Sequence, residues 1–130
     1  MPHQIIEYSD NLEQLLDIDG LIQALHDCAA QTDALPLKGL RTRAHPVSRY
    51  RIADGHPDNA FIAVYLRIGQ GRDEQLRVQI GEKLSQCLVD YTADLAVRHP
   101  LALSYEVQEI DPVTRWNHNN LDQYLAERNT

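Results

Sequence analysis

The chain has few of the residues and segments that characterise several common classes of protein. Its 130 residues include two cysteines, one phenylalanine, one tryptophan and one methionine. Two cysteines are too few for the disulfide framework of a small secreted domain. No stretch approaches the roughly 18 consecutive apolar residues that a membrane-spanning helix requires. With 43% hydrophobic and 24% charged residues, the composition predicts an ordinary globular protein of one domain, residues 1–130.

The first residues, MPHQIIEYSDN, also lack the basic segment and apolar core of a signal peptide. We therefore expect a cytoplasmic protein with no membrane partner. In a reducing compartment Cys28 and Cys87, which fall inside helical patterns and form no Cys-x-x-Cys motif, are expected to be small buried apolar residues. A disulfide between them is the lesser alternative.

Basic residues are absent before Lys38, and their distribution is uneven thereafter. The formal net charge of −7 argues against a nucleic-acid partner, because phosphate binding requires a basic surface. Eight of the twelve basic residues lie between Lys38 and Arg77 beside only four acidic ones, so this stretch carries about +4 and the remainder about −11. Such a concentration of arginine indicates a site for a small anion. Solvated surface arginines are the alternative for any one of them.

The first half of the chain has the pattern strand, helix, strand. The run HQIIEY (3–8) predicts a strand. A helix capped by Asp17 follows, with apolar residues at helical spacing: Ile18, Leu21, Ile22, Leu25, Cys28 and Ala29. Pro36 stops it, and a second extended segment is expected from Leu37 to about Ile52. Arg41 and Arg43 should share one face of that segment, and Pro46 confines part of it to a sheet edge or a bulge.

The second half repeats this order after a turn cluster, ADGHPDN (53–59). A strand is predicted over Ala60–Ile68, a helix follows the cap Asp73 and ends before Pro100, and a last strand covers Leu101–Ile110. The expected fold is α/β (α+β), with one β-α-β unit at about 2–52, a second at about 59–110 and a tail at 111–130. Two right-handed crossovers give a four-stranded sheet with both helices on one face. Because the other face must also be covered, we expect a homo-oligomer.

Two familiar kinds of site are not indicated. The six histidines are scattered, with no His-x-x-x-His spacing and no neighbouring cysteine pair, so no metal site is predicted. Gly69, Gly71 and Arg72 lack the Gly-Lys-Ser/Thr of a phosphate loop. The glycines are expected to form the strand-to-helix turn that sets Arg72 at the end of the sheet.

Pro2 offers a different chemistry. Aminopeptidases generally remove methionine before proline, which would leave Pro2 with a free secondary amine. Burial and neighbouring guanidinium groups disfavour the cationic form of an amine and lower its pKa towards neutrality. A neutral amine is a competent general base, and its conjugate acid can return the proton. Pro2 is therefore a candidate for moving a proton from an oxygen to a carbon.

Several segments carry a resemblance to a known group of proteins: PHQIIEYSDN (2–11), PLKGLRTRAH (36–45), ADG (53–55), AF (60–61), IGQGR (68–72), LALSYEVQEI (101–110) and NN (119–120). With its strand-helix-strand repeat behind an N-terminal proline, the chain resembles the tautomerase superfamily, and within it the 5-carboxymethyl-2-hydroxymuconate isomerase family. The resemblance covers almost the whole chain without a large insertion.

The resemblance implies a cofactor-free homotrimer with active sites near subunit contacts. The implied reaction tautomerises a small dienol polycarboxylate to the conjugated ketone, in the breakdown of homoprotocatechuate. Pro2 would be the general base and acid, and Arg41 and Arg72 would bind substrate carboxylates and polarise the 2-oxo group. Arginine suits this role because it grips a carboxylate with two parallel hydrogen bonds and keeps its charge when desolvated.

The chain departs from the resemblance at Pro46 and Asn59, where aromatic side chains would be expected. Tyr50 and Phe61 are the remaining candidates for pocket aromatics, although core packing is the expected role of each. Trp116 and Tyr124 are expected to pack on a neighbouring subunit. Two alternatives stay open: decarboxylation or dehalogenation of an unsaturated acid on the same scaffold, and a trimer that binds a ligand without catalysis.

Overall fold

The computed structural model describes residues 2–128. It contains four strands, β1 (His3–Ser9), β2 (Arg41–Val47), β3 (Ala60–Gly69) and β4 (Leu101–Ile110), and three α-helices, α1 (Ile18–Ala30), α2 (Glu74–Arg98) and α3 (Leu121–Arg128). Short 3₁₀ turns occupy Asp10–Leu12, Leu37–Gly39 and Pro112–Thr114. Among these residues no helix is long and apolar enough to cross a membrane.

Both long helices begin where the sequence provides a cap. The Asp17 carboxylate accepts a hydrogen bond from the Gly20 N–H at 3.0 Å, and the Asp73 carboxylate accepts one from the Leu76 N–H at 2.8 Å. These bonds satisfy backbone donors that have no partner in the first helical turn. The caps set the points at which the chain leaves β1 and β3 and turns back over the sheet.

The four strands form one mixed sheet in the order β2-β1-β3-β4. β1 is parallel to β2 and antiparallel to β3, and β3 is parallel to β4. Each half of the chain is thus a parallel β-α-β unit, and the two units join through their first strands. The expectation of a four-stranded sheet built from tandem β-α-β units is confirmed. Pro46 lies on the edge strand β2, as its missing N–H predicted.

One face of the sheet carries the core. Alternate residues of β1 and β3 point towards α1 and α2 and are fully or almost fully buried: Gln4, Ile6, Tyr8, Ile62, Val64, Leu66 and Ile68. They pack against the apolar faces of the helices, chiefly Leu21, Leu25, Ile80, Leu84 and Leu88. On the opposite face, called the open face below, the alternating residues are half-buried or exposed, except for Ser9 and Ile110 at the ends of β1 and β4, which are buried. Both helices therefore lie on one face, and the other is uncovered in a single chain.

The second extended segment is shorter than expected. Leu37–Gly39 is a 3₁₀ turn, and β2 ends at Val47 rather than near Ile52. β2 stops where β1 does, because Ser9, the last residue of β1, pairs with Val47. A strand without a neighbour to pair with has no ladder to continue, so residues 48–59 form a loop that returns the chain to β3.

A buried polar network joins the sheet to α1. The Gln4 amide, which is 0% exposed, donates to the Leu25 carbonyl at 3.2 Å and to Thr42 Oγ1 at 3.1 Å. Its carbonyl oxygen accepts a hydrogen bond from the Tyr105 hydroxyl at 2.8 Å. Burial raises the pKa of Tyr105, so the phenol stays protonated and remains a donor. The network links three strands and one helix through a single amide.

Tyr105→Phe is expected to lower the free energy of unfolding by about 1–3 kcal/mol, because it leaves the buried Gln4 oxygen without its donor. Denaturant unfolding at matched protein concentration measures the change. Tyr124→Phe is the control, since the Tyr124 side chain is 39% exposed. Equal stability of the two variants would show that the Tyr105 hydroxyl contributes nothing.

Cys28 and Cys87 lie side by side where α1 meets α2. Both are half-buried rather than buried as expected, and both are free thiols. The Cys87 thiol lies 3.6 Å from the Ala24 carbonyl oxygen. Burial, together with the neighbouring Cys28 side chain, raises the pKa of Cys87 to about 11. This thiol is consequently protonated near neutral pH and is a poor nucleophile.

Candidate active site

The topology brings the three candidate site residues to one end of the sheet. Pro2 immediately precedes β1, and Arg41 is the first residue of β2, which runs parallel to β1. Arg72 follows the C-terminal end of β3, which runs antiparallel to β1. Residues separated by up to 70 positions in sequence therefore share this end, called the proline end below.

Pro2 is buried and held by the neighbouring strand. Its carbonyl oxygen accepts a hydrogen bond from the Arg41 N–H at 3.1 Å, which continues the β1–β2 ladder by one residue. The backbone of Pro2 is therefore paired with the sheet and is not part of a loose terminus. Met1, which must be removed to give Pro2 a free amine, lies outside the described residues.

Arg72 is held by the turn that carries it. Gly71 has a φ of 121°, which glycine adopts far more readily than other residues, and it allows the chain to turn between β3 and the Asp73 cap. The Arg72 guanidinium donates to the Gly69 carbonyl at 3.0 Å and makes a short bond to the Ala34 carbonyl. The expected role of the glycines in setting Arg72 at the sheet end is confirmed.

Arg41 and Arg43 lie on the open face, as alternation along β2 predicted. Arg41 Nη1 is 3.4 Å from Nε2 of His3 and donates to the Gly39 carbonyl at 3.3 Å. Arg43 Nη1 is 3.3 Å from Nδ1 of the same imidazole. On the other face of β2, Thr42 contacts Gln4 and His26 beneath α1.

His3 is kept neutral by burial and by the arginines around it. Burial and the positive charges of Arg41, Arg43, Arg115 and Arg67 lower the pKa of His3 from 6.5 to about 4. The same positive charges disfavour a cationic amine on Pro2, the residue that directly precedes His3. Arg67 and Arg115 were not predicted to lie near His3, because only the pairing of β1 with β3 and the return of the chain after β4 bring them there.

This shift predicts an effect of pH on stability. Because the pKa of His3 is lower in the folded protein, the unfolded chain binds the proton more tightly between pH 6.5 and about 4. Stability is then lost as the pH falls through that window. His3→Gln is expected to reduce this loss relative to wild type, and thermal unfolding across the window measures it. His118→Gln, in the exposed tail, is the control, and identical profiles for wild type and His3→Gln would contradict the prediction.

The candidate pocket aromatics lie elsewhere. Phe61 is at the N-terminal end of β3, so it sits at the opposite end of the sheet from Pro2, and its ring contacts Tyr50 edge-on with centroids 6.4 Å apart. Tyr50 is 38% exposed and Phe61 is half-buried on the open face, so neither residue packs in the core as expected. Asn59 is also at that end, where its amide donates to the Ile52 carbonyl and to Asp54 and orders the loop.

Pro2, Arg41 and Arg72 line none of the five clefts of about 240 to 600 Å³ on the described residues. The largest of the five lies between α1 and α2 beside the two cysteines. Within residues 2–128 there is no group of three or more His, Cys, Asp or Glu side chains that could hold a metal ion. The described side chains at the proline end can supply hydrogen-bond donors and positive charge.

Comparison with known proteins gives concordant results. Residues 2–125 match the family described as 5-carboxymethyl-2-hydroxymuconate isomerase. The chain is 38% identical over 121 residues to the 5-carboxymethyl-2-hydroxymuconate Delta-isomerase of Escherichia coli, covering 93% of this chain and 96% of that protein.

Two crystal structures agree closely with the fold. The 5-carboxymethyl-2-hydroxymuconate isomerase of Deinococcus radiodurans R1 superposes with a TM-score of 0.87 at 35% identity, covering 95% of this chain and 93% of that one. A second 5-carboxymethyl-2-hydroxymuconate delta-isomerase gives a TM-score of 0.87 at 28% identity, covering 96% and 93%.

Proposed function

Because this chain belongs to the 5-carboxymethyl-2-hydroxymuconate isomerase family, it is an isomerase, and we propose that it converts 5-carboxymethyl-2-hydroxymuconate, or a similar dienol polycarboxylate, to its conjugated ketone. The observation that carries the proposal is the convergence of Pro2, Arg41 and Arg72 at one end of the sheet. The decarboxylase and dehalogenase alternatives have less support, since the relatives that share 28–38% identity with the chain are isomerases.

Pro2 is the proposed general base and acid. With Met1 removed, its secondary amine takes the proton of the 2-hydroxyl group, and the resulting ammonium returns a proton to carbon, so no atom is gained or lost and no cofactor is needed. Burial of Pro2 and the positive charges of the arginines around His3 both favour the neutral amine. The rigid position of Pro2 in the β1–β2 ladder fixes where the amine meets the substrate.

Arg41 and Arg72 are the proposed substrate-binding groups. A guanidinium at each side of Pro2 suits a substrate that carries carboxylates at both ends of a short unsaturated chain. The same charges stabilise the dienolate that develops as the hydroxyl proton leaves. The backbone carbonyls of Gly39, Gly69 and Ala34 hold the two side chains before substrate arrives.

A homotrimer is the proposed assembly. One chain leaves the open face uncovered, and Pro2, Arg41 and Arg72 line none of the five clefts described above, which supports a site completed by a second copy. Apolar side chains in the C-terminal segment are also left in solvent, with Val113 80% and Trp116 82% exposed. Packing of this segment on a neighbouring subunit would bury them. The cytoplasm is the proposed location of this assembly.

The test combines intact mass with an assay of ketonisation, followed by ultraviolet absorbance, of 2-hydroxymuconate and of 5-carboxymethyl-2-hydroxymuconate. We expect a mass lacking Met1 and turnover far above the uncatalysed rate. Sedimentation velocity on the same sample measures the assembly. Protein that lacks Met1 and still shows no turnover of either dienol would overturn the proposed function.

A further inference from the structure

The two cysteines of the chain meet between the helices of the two β-α-β units. Cys28 lies on α1 and Cys87 on α2. The Cys87 sulfur is 3.6 Å from the Ala24 carbonyl oxygen. Ala24 lies one helical turn before Cys28, and a helical side chain leans over the turn that precedes it. The Cys28 side chain is therefore directed towards the part of α1 that Cys87 contacts, and the two side chains interact directly.

A cleft gives small molecules access to both thiols. Its volume is about 600 Å³, and Cys28, Cys87, Lys83 and Tyr91 are among the residues that line it. Neither cysteine is fully buried. The cleft lies on the helical side of the sheet, opposite the open face that a second copy is proposed to cover. A small oxidant in solution can therefore reach this pair of thiols.

We propose that Cys28 and Cys87 form a reversible disulfide, which joins α1 to α2 when the protein is exposed to a peroxide. One S–S bond replaces two S–H bonds, so the thiols lose two electrons and two protons. Hydrogen peroxide accepts them, its O–O bond breaks, and two molecules of water leave. The inference does not depend on the proposed function, because neither thiol belongs to the group formed by Pro2, Arg41 and Arg72.

The disulfide would connect segments that are far apart in sequence. It closes a loop that contains β2, β3 and the first half of α2. A cross-link over a long loop restricts the unfolded chain more than the folded one, so the oxidised protein is expected to be the more stable form. A disulfide is reduced most readily where the protein stabilises the resulting thiolate, whereas burial and Cys28 raise the pKa of Cys87. We therefore expect the disulfide to persist until a reductant is added.

The experiment treats reduced wild-type protein with hydrogen peroxide for several hours at about pH 8, because the thiolate is the reactive form. We expect the intact mass to fall by two hydrogen atoms. Digestion without reductant should give a peptide that joins Cys28 to Cys87, and the midpoint of thermal unfolding should rise by about 5 °C or more. Dithiothreitol should reverse the loss of mass and the rise in the midpoint.

Three variants serve as controls. Cys28→Ser and Cys87→Ser each keep one thiol, so peroxide should neither remove two hydrogens from them nor stabilise them. Cys87→Ser combined with Ser85→Cys keeps two thiols but moves the second one to the cleft between α2 and β4, where it should form no disulfide with Cys28.

Three results would overturn the proposal. The first is addition of oxygen to the wild-type thiols without loss of hydrogen. The second is a disulfide between two chains, seen on a non-reducing denaturing gel. The third is a disulfide within one chain of the Cys87→Ser, Ser85→Cys variant at the wild-type rate, because the observed placement of the two thiols would then be irrelevant.

Discussion

Pro2→Ala is expected to reduce kcat/KM for ketonisation by about 10²- to 10⁴-fold, the contribution of a positioned general acid–base group. Alanine keeps an α-amine after methionine removal, but this amine is primary and is not held by a ring. Both the basicity and the direction of the nitrogen lone pair therefore change. Because general acid–base catalysis acts on the transition state, the loss should fall mainly on kcat rather than on KM.

Two controls test whether the loss of activity is specific to the amine of Pro2. Pro57→Ala removes a proline from the exposed loop at the opposite end of the sheet and should retain activity within about twofold of wild type. A preparation that retains Met1 should be inactive, because the Pro2 nitrogen is then a tertiary amide with no basic lone pair. Full activity of that preparation, shown by intact mass to carry Met1, would eliminate Pro2 as the base.

Arg72→Gln is expected to lower kcat/KM by about 10²- to 10³-fold, through a higher KM and a lower kcat together. The glutamine cannot donate two parallel hydrogen bonds to a carboxylate and carries no charge to stabilise the dienolate. The substitution also removes the hydrogen bonds from Arg72 to the Gly69 and Ala34 carbonyls, which hold the turn after β3 against the segment before β2. Steady-state kinetics on both dienols measures the two parameters.

Arg72→Lys distinguishes the two contributions of this residue. Lysine restores the charge but not the planar fork, so we expect kcat to recover more than KM. Arg98→Gln, which removes one charge far from the proline end, serves as the control for net charge. Wild-type kinetics in Arg72→Gln, with an unchanged unfolding midpoint, would remove Arg72 from the site.

Much of the fold could be predicted because local signals agreed with each other. The caps Asp17 and Asp73, the apolar spacing of α1 and α2 and the apolar run of β3 each point to the element that forms. The boundary that failed, the end of β2, was not set by local sequence. Residues 48–52 have no partner strand once β1 has ended at Ser9, and pairing is a property of two segments rather than one.

The residues of the candidate site were likewise predicted only in part. Pro2, Arg41 and Arg72 were identified by residue type and family resemblance, and the glycines before Arg72 predicted its turn correctly. Phe61 was misjudged because a half-buried sheet face and a core face carry similar apolar residues in sequence. Only the packing of the helices on one face distinguishes the core face from the half-buried face, and this packing depends on the whole chain. Tyr50 was misjudged because it lies in the loop of residues 48–59 rather than in a strand.

The sequence by itself determined the elements, the two β-α-β units and the chemistry available to the chain: a proline that can become a secondary amine, and a concentration of arginine in an acidic protein. The reason is that helical and strand periodicity, capping and charge are properties of neighbouring residues. Only the tertiary structure decided that Arg67 and Arg115 lie beside His3, that Arg41 and Arg72 share the end of Pro2, and that one sheet face stays open. These outcomes depend on strand order and register, which place residues far apart in sequence on adjacent strands and so create a positive field that no single segment contains.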